Sequence, residues 1–76
     1  MELNVFVEKF AEQFDDADPS EIKADSRFRD FEEWSSLIGL SVIAMVHEEL
    51  GVLLKGEDMR AANTPEELFN IIKSKM

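Results

Sequence analysis

The chain has 76 residues, enough for one small domain and no more. With no cysteine and one histidine, His47, it cannot hold a disulfide framework, a thiolate metal site or a histidine cluster. Seventeen acids against eight bases give a net charge of −9, a surface that repels nucleic acid and anionic lipid and attracts basic proteins, while a hydrophobic fraction of 45% excludes a disordered acidic tail.

Leu3, Phe6, Val7, Phe10, Ala11 and Phe14 recur at helical spacing and predict a first amphipathic helix. Asp15, Asp16 and Asp18-Pro19 are expected to end it, because the residue before a proline is pushed out of the helical region. Glu2, Glu8 and Glu12 interrupt this stretch, so it does not read as a signal peptide. The apolar runs are far short of a membrane span. The expectation is a soluble, cytoplasmic protein with no membrane insertion.

A long connection follows, from about Pro19 to Ser35. Its Ile22, Phe28, Phe31 and Trp34 are too apolar for a free loop and are expected to pin it across the bundle. A structured long loop in a small domain is often functional.

A second helix is expected from near Ser36 to near Leu50. An oxygen of Ser35 or Ser36 can cap its start, and Gly51 sits where a helix ends in a left-handed residue. At about 100° per residue, Gly39, Ile43, Val46 and Leu50 form its predicted core face, with Gly39 permitting close approach. Leu37, Ile38, Ser41, Met45 and Glu48 fall opposite, with Ala44 at the edge. Apolar residues on an outer face mark either a partner site or ground covered by the long connection. Between Asp30 and Leu54 there are five acids, Asp30, Glu32, Glu33, Glu48 and Glu49, and no lysine or arginine. A stretch of one sign with apolar centres suits docking to basic patches on enzymes.

The segment Lys55-Gly56-Glu57-Asp58-Met59-Arg60 predicts a turn and a short third helix. Thr64 as N-cap, Pro65 at the first position and Glu67 completing a capping box predict the start of a fourth, with Leu68, Ile71 and Ile72 as its buried stripe. The fold expected over residues 1–76 is therefore a single all-α domain. It is a small four-helix bundle with a long loop between helices 1 and 2 and a short third helix.

No catalytic constellation stands out. His47 lacks a nucleophile at helical spacing and reads as a partly buried packing residue. The adjacent acids Glu32-Glu33 and Asp15-Asp16 read as solvated, and no loop has calcium-binding spacing. Trp34 reads as an anchor for the long loop. The chain is expected to be no enzyme and to hold no metal.

Taken in order, these residues resemble the acyl carrier protein family. Asp25-Ser26-Arg27-Phe28-Arg29-Asp30-Phe31 looks like the family's loop leading to its serine motif. Glu33-Trp34-Ser35-Ser36-Leu37 is similar to the Trp-Asp-Ser-Leu motif of discrete carriers. Glu48-Glu49-Leu50-Gly51-Val52 resembles the acidic end of the second helix, and Thr64-Pro65-Glu66-Glu67-Leu68 the start of the last. The likeness covers nearly the whole chain, and a chain opening on Met1 fits a free-standing carrier.

The resemblance implies that a phosphopantetheinyl transferase moves a 4'-phosphopantetheine arm from coenzyme A to the hydroxyl of Ser36, making a phosphoprotein. The arm's thiol then carries acyl or aminoacyl groups in lipid or secondary-metabolite biosynthesis. It implies a monomer whose loading and processing enzymes, bearing basic docking patches, read Leu37, Ser41, Ala44, Met45, Glu48 and Glu49. One position departs from the family: Ser35 stands where carriers have Asp. The alternative is a carrier-fold interaction domain without the arm.

Overall fold

The computed structural model describes residues 1–14 and 19–76, so the helix-ending Asp15, Asp16 and Asp18 lie outside the described residues. Four α-helices follow in chain order: α1 (Leu3–Ala11), α2 (Ser36–Leu50), α3 (Gly56–Ala61) and α4 (Pro65–Lys75). The long connection carries two 3-10 turns, Pro19–Glu21 and Phe28–Asp30. There is no strand among the described residues, and the Cα radius of gyration is 11.0 Å. The expected all-α bundle with a short third helix is what the chain forms.

Helix α1 contributes an aromatic row. Phe6, Phe10 and Phe14 follow at four-residue spacing and are all buried, with successive ring centroids 6.1 and 5.7 Å apart. The regular helix stops at Ala11, earlier than the periodicity predicts. Gln13 and Phe14 donate to Phe10 and Ala11 at 3.1 Å, so the last turn tightens to three-residue bonds and still delivers Phe14 to the core. Phe69 of α4 meets Phe6 at 5.2 Å, and α1 packs on α4 and α2.

The long connection is part of the core. Ile22 and Phe28 are buried, and Phe31 and Trp34 pack against the same cluster. Phe28 is wedged between Phe10 at 5.3 Å and Trp34 at 4.6 Å. Backbone bonds add to this pinning: Phe28 N–H donates to Asn63, and Glu66 N–H to Ala24. The Arg29 guanidinium donates to the Met59 carbonyl of α3.

The helix ends follow local chemistry. Gly51 adopts φ 67° after α2, and its N–H returns to the His47 carbonyl at 2.9 Å. This left-handed turn is nearly free for glycine and costly for other residues. At α3, the Asp58 carboxylate accepts from the Lys55 N–H at 2.9 Å and pairs with Lys75 of α4 at 3.4 Å. At α4, Thr64 Oγ1 accepts from the Glu67 N–H, as expected. The return bond differs: Glu67 Oε1 takes the N–H of Asn63 rather than that of Thr64, one residue before the position in a standard capping box.

Candidate functional site around Ser36 and the second helix

The start of α2 separates the two serines. Ser35 is the N-cap, with extended backbone at φ −152°, and its Oγ accepts from the Ile38 N–H at 3.4 Å. Ser36 is the first helical residue. It is exposed, and among the described residues no bond engages its hydroxyl. No acid lies in the first turn of α2, so an anion on Ser36 meets unbonded N–H groups and the positive end of a 15-residue helix.

The core face of α2 differs from the predicted one. Ile38, Gly39, Val42, Met45 and Val46 are buried, while Ile43 and Leu50 sit half-buried at the flank. The buried stripe is thus shifted by about one residue from the expected Gly39, Ile43, Val46, Leu50 face. Ile38, Val42, Met45 and Val46 join the cluster that holds Phe6 and Phe10 of α1, while Ile43 lines an open groove. The Trp34 indole lies over Gly39, 3.7 Å from where a Cβ would stand. That distance is ordinary contact, so Gly39 is not required here by close approach.

The shift changes the expected partner face. Met45, expected to touch partners, is only 8% exposed and belongs to the core. Ile38 is buried as well. Leu37 is 73% exposed and Leu40 63% exposed, so the outward apolar residues lie one turn apart beside Ser36. Leu40 was not among the predicted contacts; its i, i+3 spacing from Leu37 was the available signal. Ser41 is half-buried, and Ala44, Glu48 and Glu49 are exposed. His47, expected to pack, is exposed as well.

Two grooves flank α2. One, of about 320 Å³, lies toward α1. It joins Ser41, Ala44, Glu48, Glu49 and the slightly exposed edge of Met45 to Glu12 and Gln13. Lys9 enters it too and pairs with Glu49 at 3.1 Å, both side chains remaining partly exposed. The other, of about 310 Å³, lies toward α3 and contains Ser35 and Ser36. Trp34, Leu40, Ile43 and Met59 give it an apolar floor, and Arg29 and Arg60 line it as well. The stretch of one charge sign in the sequence is therefore not of one sign in space. Lys9, Arg29 and Arg60, all outside residues 30–54, fold onto the surroundings of α2.

Among the described residues no group of three His, Cys, Asp or Glu side chains is placed to hold a metal, and no helix is long and apolar enough to cross a membrane. Comparison with models of protein families, with curated proteins and with solved structures finds no match.

Proposed function

We propose that this chain is an acyl-carrier-type protein that bears a 4'-phosphopantetheine arm on Ser36 and presents thioester-bound acyl or aminoacyl groups to partner enzymes. One observation carries the reading: Ser35 takes the capping bond, which leaves the Ser36 hydroxyl exposed and unengaged at the first position of a long helix. The departure from the family motif has a physical resolution in this geometry. Serine and aspartate both serve as N-caps, so the side chain in the Asp position still orders the helix start. What is lost is one negative charge beside the attachment point.

The residues present suit the arm. Ser36 Oγ would form the phosphodiester. The first-turn N–H groups of α2 would face its charge. Leu37 and Leu40 would supply apolar contact to an approaching enzyme, and Glu48 would steer a basic one. The arm supplies the thiol that carries the cargo; this chain's residues orient it and dock partners.

The test is intact mass after incubation with coenzyme A and a transferase. The reading expects one added phosphopantetheine, lost in Ser36→Ala and retained in Ser35→Ala. No gain with several transferases would favour the carrier-fold interaction domain without the arm, the reading that the Ser35 departure supports.

A further inference from the structure

Lys9 stands alone in the acidic part of the sequence. Residues 1–22 carry seven acids and one base, Lys9, and residues 30–54 carry five acids and no base. The other seven bases lie at 23–29 and 55–75. Folding sets Lys9 into the α1-side groove, where it is the one base beside Glu12, Glu48 and Glu49. Its ammonium donates to Glu49, 40 positions away in the chain, at 3.1 Å. The Lys75–Asp58 pair, by contrast, ties α3 to α4 and borders neither groove. The Lys9 and Glu49 side chains are 32% and 41% exposed, so either charge returns to water at small cost. A basic side chain arriving from outside must nevertheless displace Lys9 to reach Glu49, and meets its repulsion on the way.

We infer that Lys9 is an internal competitor for the docking of a basic enzyme: it occupies Glu49 in the free protein and yields it when a partner's lysine or arginine arrives. The inference rests on the reading of this face as a docking surface, and it adds the residue that regulates that surface. An exposed ion pair is worth little, so the competition lowers affinity by a factor of about two to five. A lone cation gains almost nothing by the exchange, because one ion pair replaces another. A partner that also engages Glu48, or Leu37 and Leu40 of the same helix, keeps its advantage. Lys9 thus tilts the groove against unspecific polycations and toward partners with further contacts.

The probe is hexalysine amide, titrated into the unmodified protein at about 0.1 M salt, where charges more than about 10 Å apart are largely screened. Binding is read from the backbone amide resonances of Ala44, Glu48 and Glu49. Lys9→Gln should lower the half-saturating concentration about two- to fivefold, as loss of an exposed competing pair implies. Lys9→Arg keeps the pair and should stay near wild type. So should Lys23→Gln, which removes the same charge from a residue bordering neither groove. In a Glu49→Gln protein, adding Lys9→Gln should bring none of the gain. Wild-type or weaker binding by Lys9→Gln, an equal gain from Lys23→Gln, a gain undiminished in Glu49→Gln, or no response of these amides to hexalysine would overturn the inference. The readout needs no arm. A Ser36 that transferases leave unmodified, with the Lys9 effect intact, sinks the carrier reading alone; a modified Ser36 without the Lys9 effect sinks this inference alone.

Discussion

The two grooves beside α2 are nearly equal in volume, one of mixed lining and the other mainly apolar. Toward α1 the walls are the carboxylates Glu12, Glu48 and Glu49, the amide of Gln13, and Ser41, Ala44 and Met45, with Lys9 bound to Glu49. Toward α3 the floor is aromatic and aliphatic, Ser35 and Ser36 line it, and two arginines line it as well. One helix thus borders a groove rich in carboxylates on one side and a groove with an apolar floor on the other. The difference arises from what the neighbouring elements contribute. Helix α1 brings polar residues of its outer turns, whereas the long connection and α3 bring Trp34, Arg29, Met59 and Arg60.

The largest expected effect separates the grooves outright. Ser36→Ala should abolish phosphopantetheine attachment while circular dichroism stays helical, because its side chain is exposed and the cap belongs to Ser35. Attachment persisting in Ser36→Ala but lost in Ser35→Ala would move the site one residue back.

Next is the floor of the α3-side groove. Phe28 is fully buried and supports Trp34, so Phe28→Ala should cost about 3–5 kcal/mol in denaturant unfolding. That is a large share of the roughly 5–15 kcal/mol typical of a domain. A loss below about 1 kcal/mol would mean that the loop is not the core element described here.

The α1-side groove is probed by charge. Glu48→Lys should slow transfer to Ser36 several-fold at low ionic strength, and the deficit should shrink as salt screens it. Glu66→Lys, on α4, is the fitting control. Glu12, which follows α1, lines the same groove as Glu48 and does not serve as a control. Wild-type transfer rates for Glu48→Lys at low salt would remove the docking role from this face.

A smaller effect belongs to the helix start shared by both regions. Ser35→Ala should lower stability by about 1 kcal/mol through loss of the cap while leaving attachment possible. Equal unfolding midpoints for the two proteins would show that the 3.4 Å bond to Ile38 contributes nothing.

The smallest concerns Asp58, which holds α3 to α4 behind the α3-side groove. The Lys55 N–H, and then the Lys75 ammonium, hold its carboxyl below the ordinary value of 3.8. A carboxylate with a depressed folded pKa stabilises fully above its unfolded pKa, and that contribution fades as pH falls through the folded value. Asp58→Asn should therefore differ from wild type in melting temperature at neutral pH and converge with it at strongly acidic pH. A gap that stays constant across that range would contradict the linkage.

The sequence legibly encoded what depends on neighbours along the chain. The aromatic period of Phe6 and Phe10, the Gly51 stop and the Thr64-Pro65 start all rest on interactions within a few residues and are in place, whereas Phe14 lies beyond the end of the regular helix. The aromatic content of the long connection likewise announced its burial. Ser35 and Ser36 satisfy the same local capping rule along the chain, and the backbone geometry makes Ser35 the cap.

Which face of α2 is core depended on partners distant in sequence. Ile38, Val42 and Met45 pack into the cluster shared with α1, so Met45 is nearly covered while Leu40 stands exposed beside Leu37. Charge behaved the same way. Between residues 30 and 54 the chain carries acids alone, yet Coulomb interactions act through space, and folding brings Lys9, Arg29 and Arg60 to that helix. Local hydrogen bonding and hydrophobic period were thus determined by the sequence as it reads, while groove chemistry was decided only when tertiary packing joined α1, the long connection and α3 to α2.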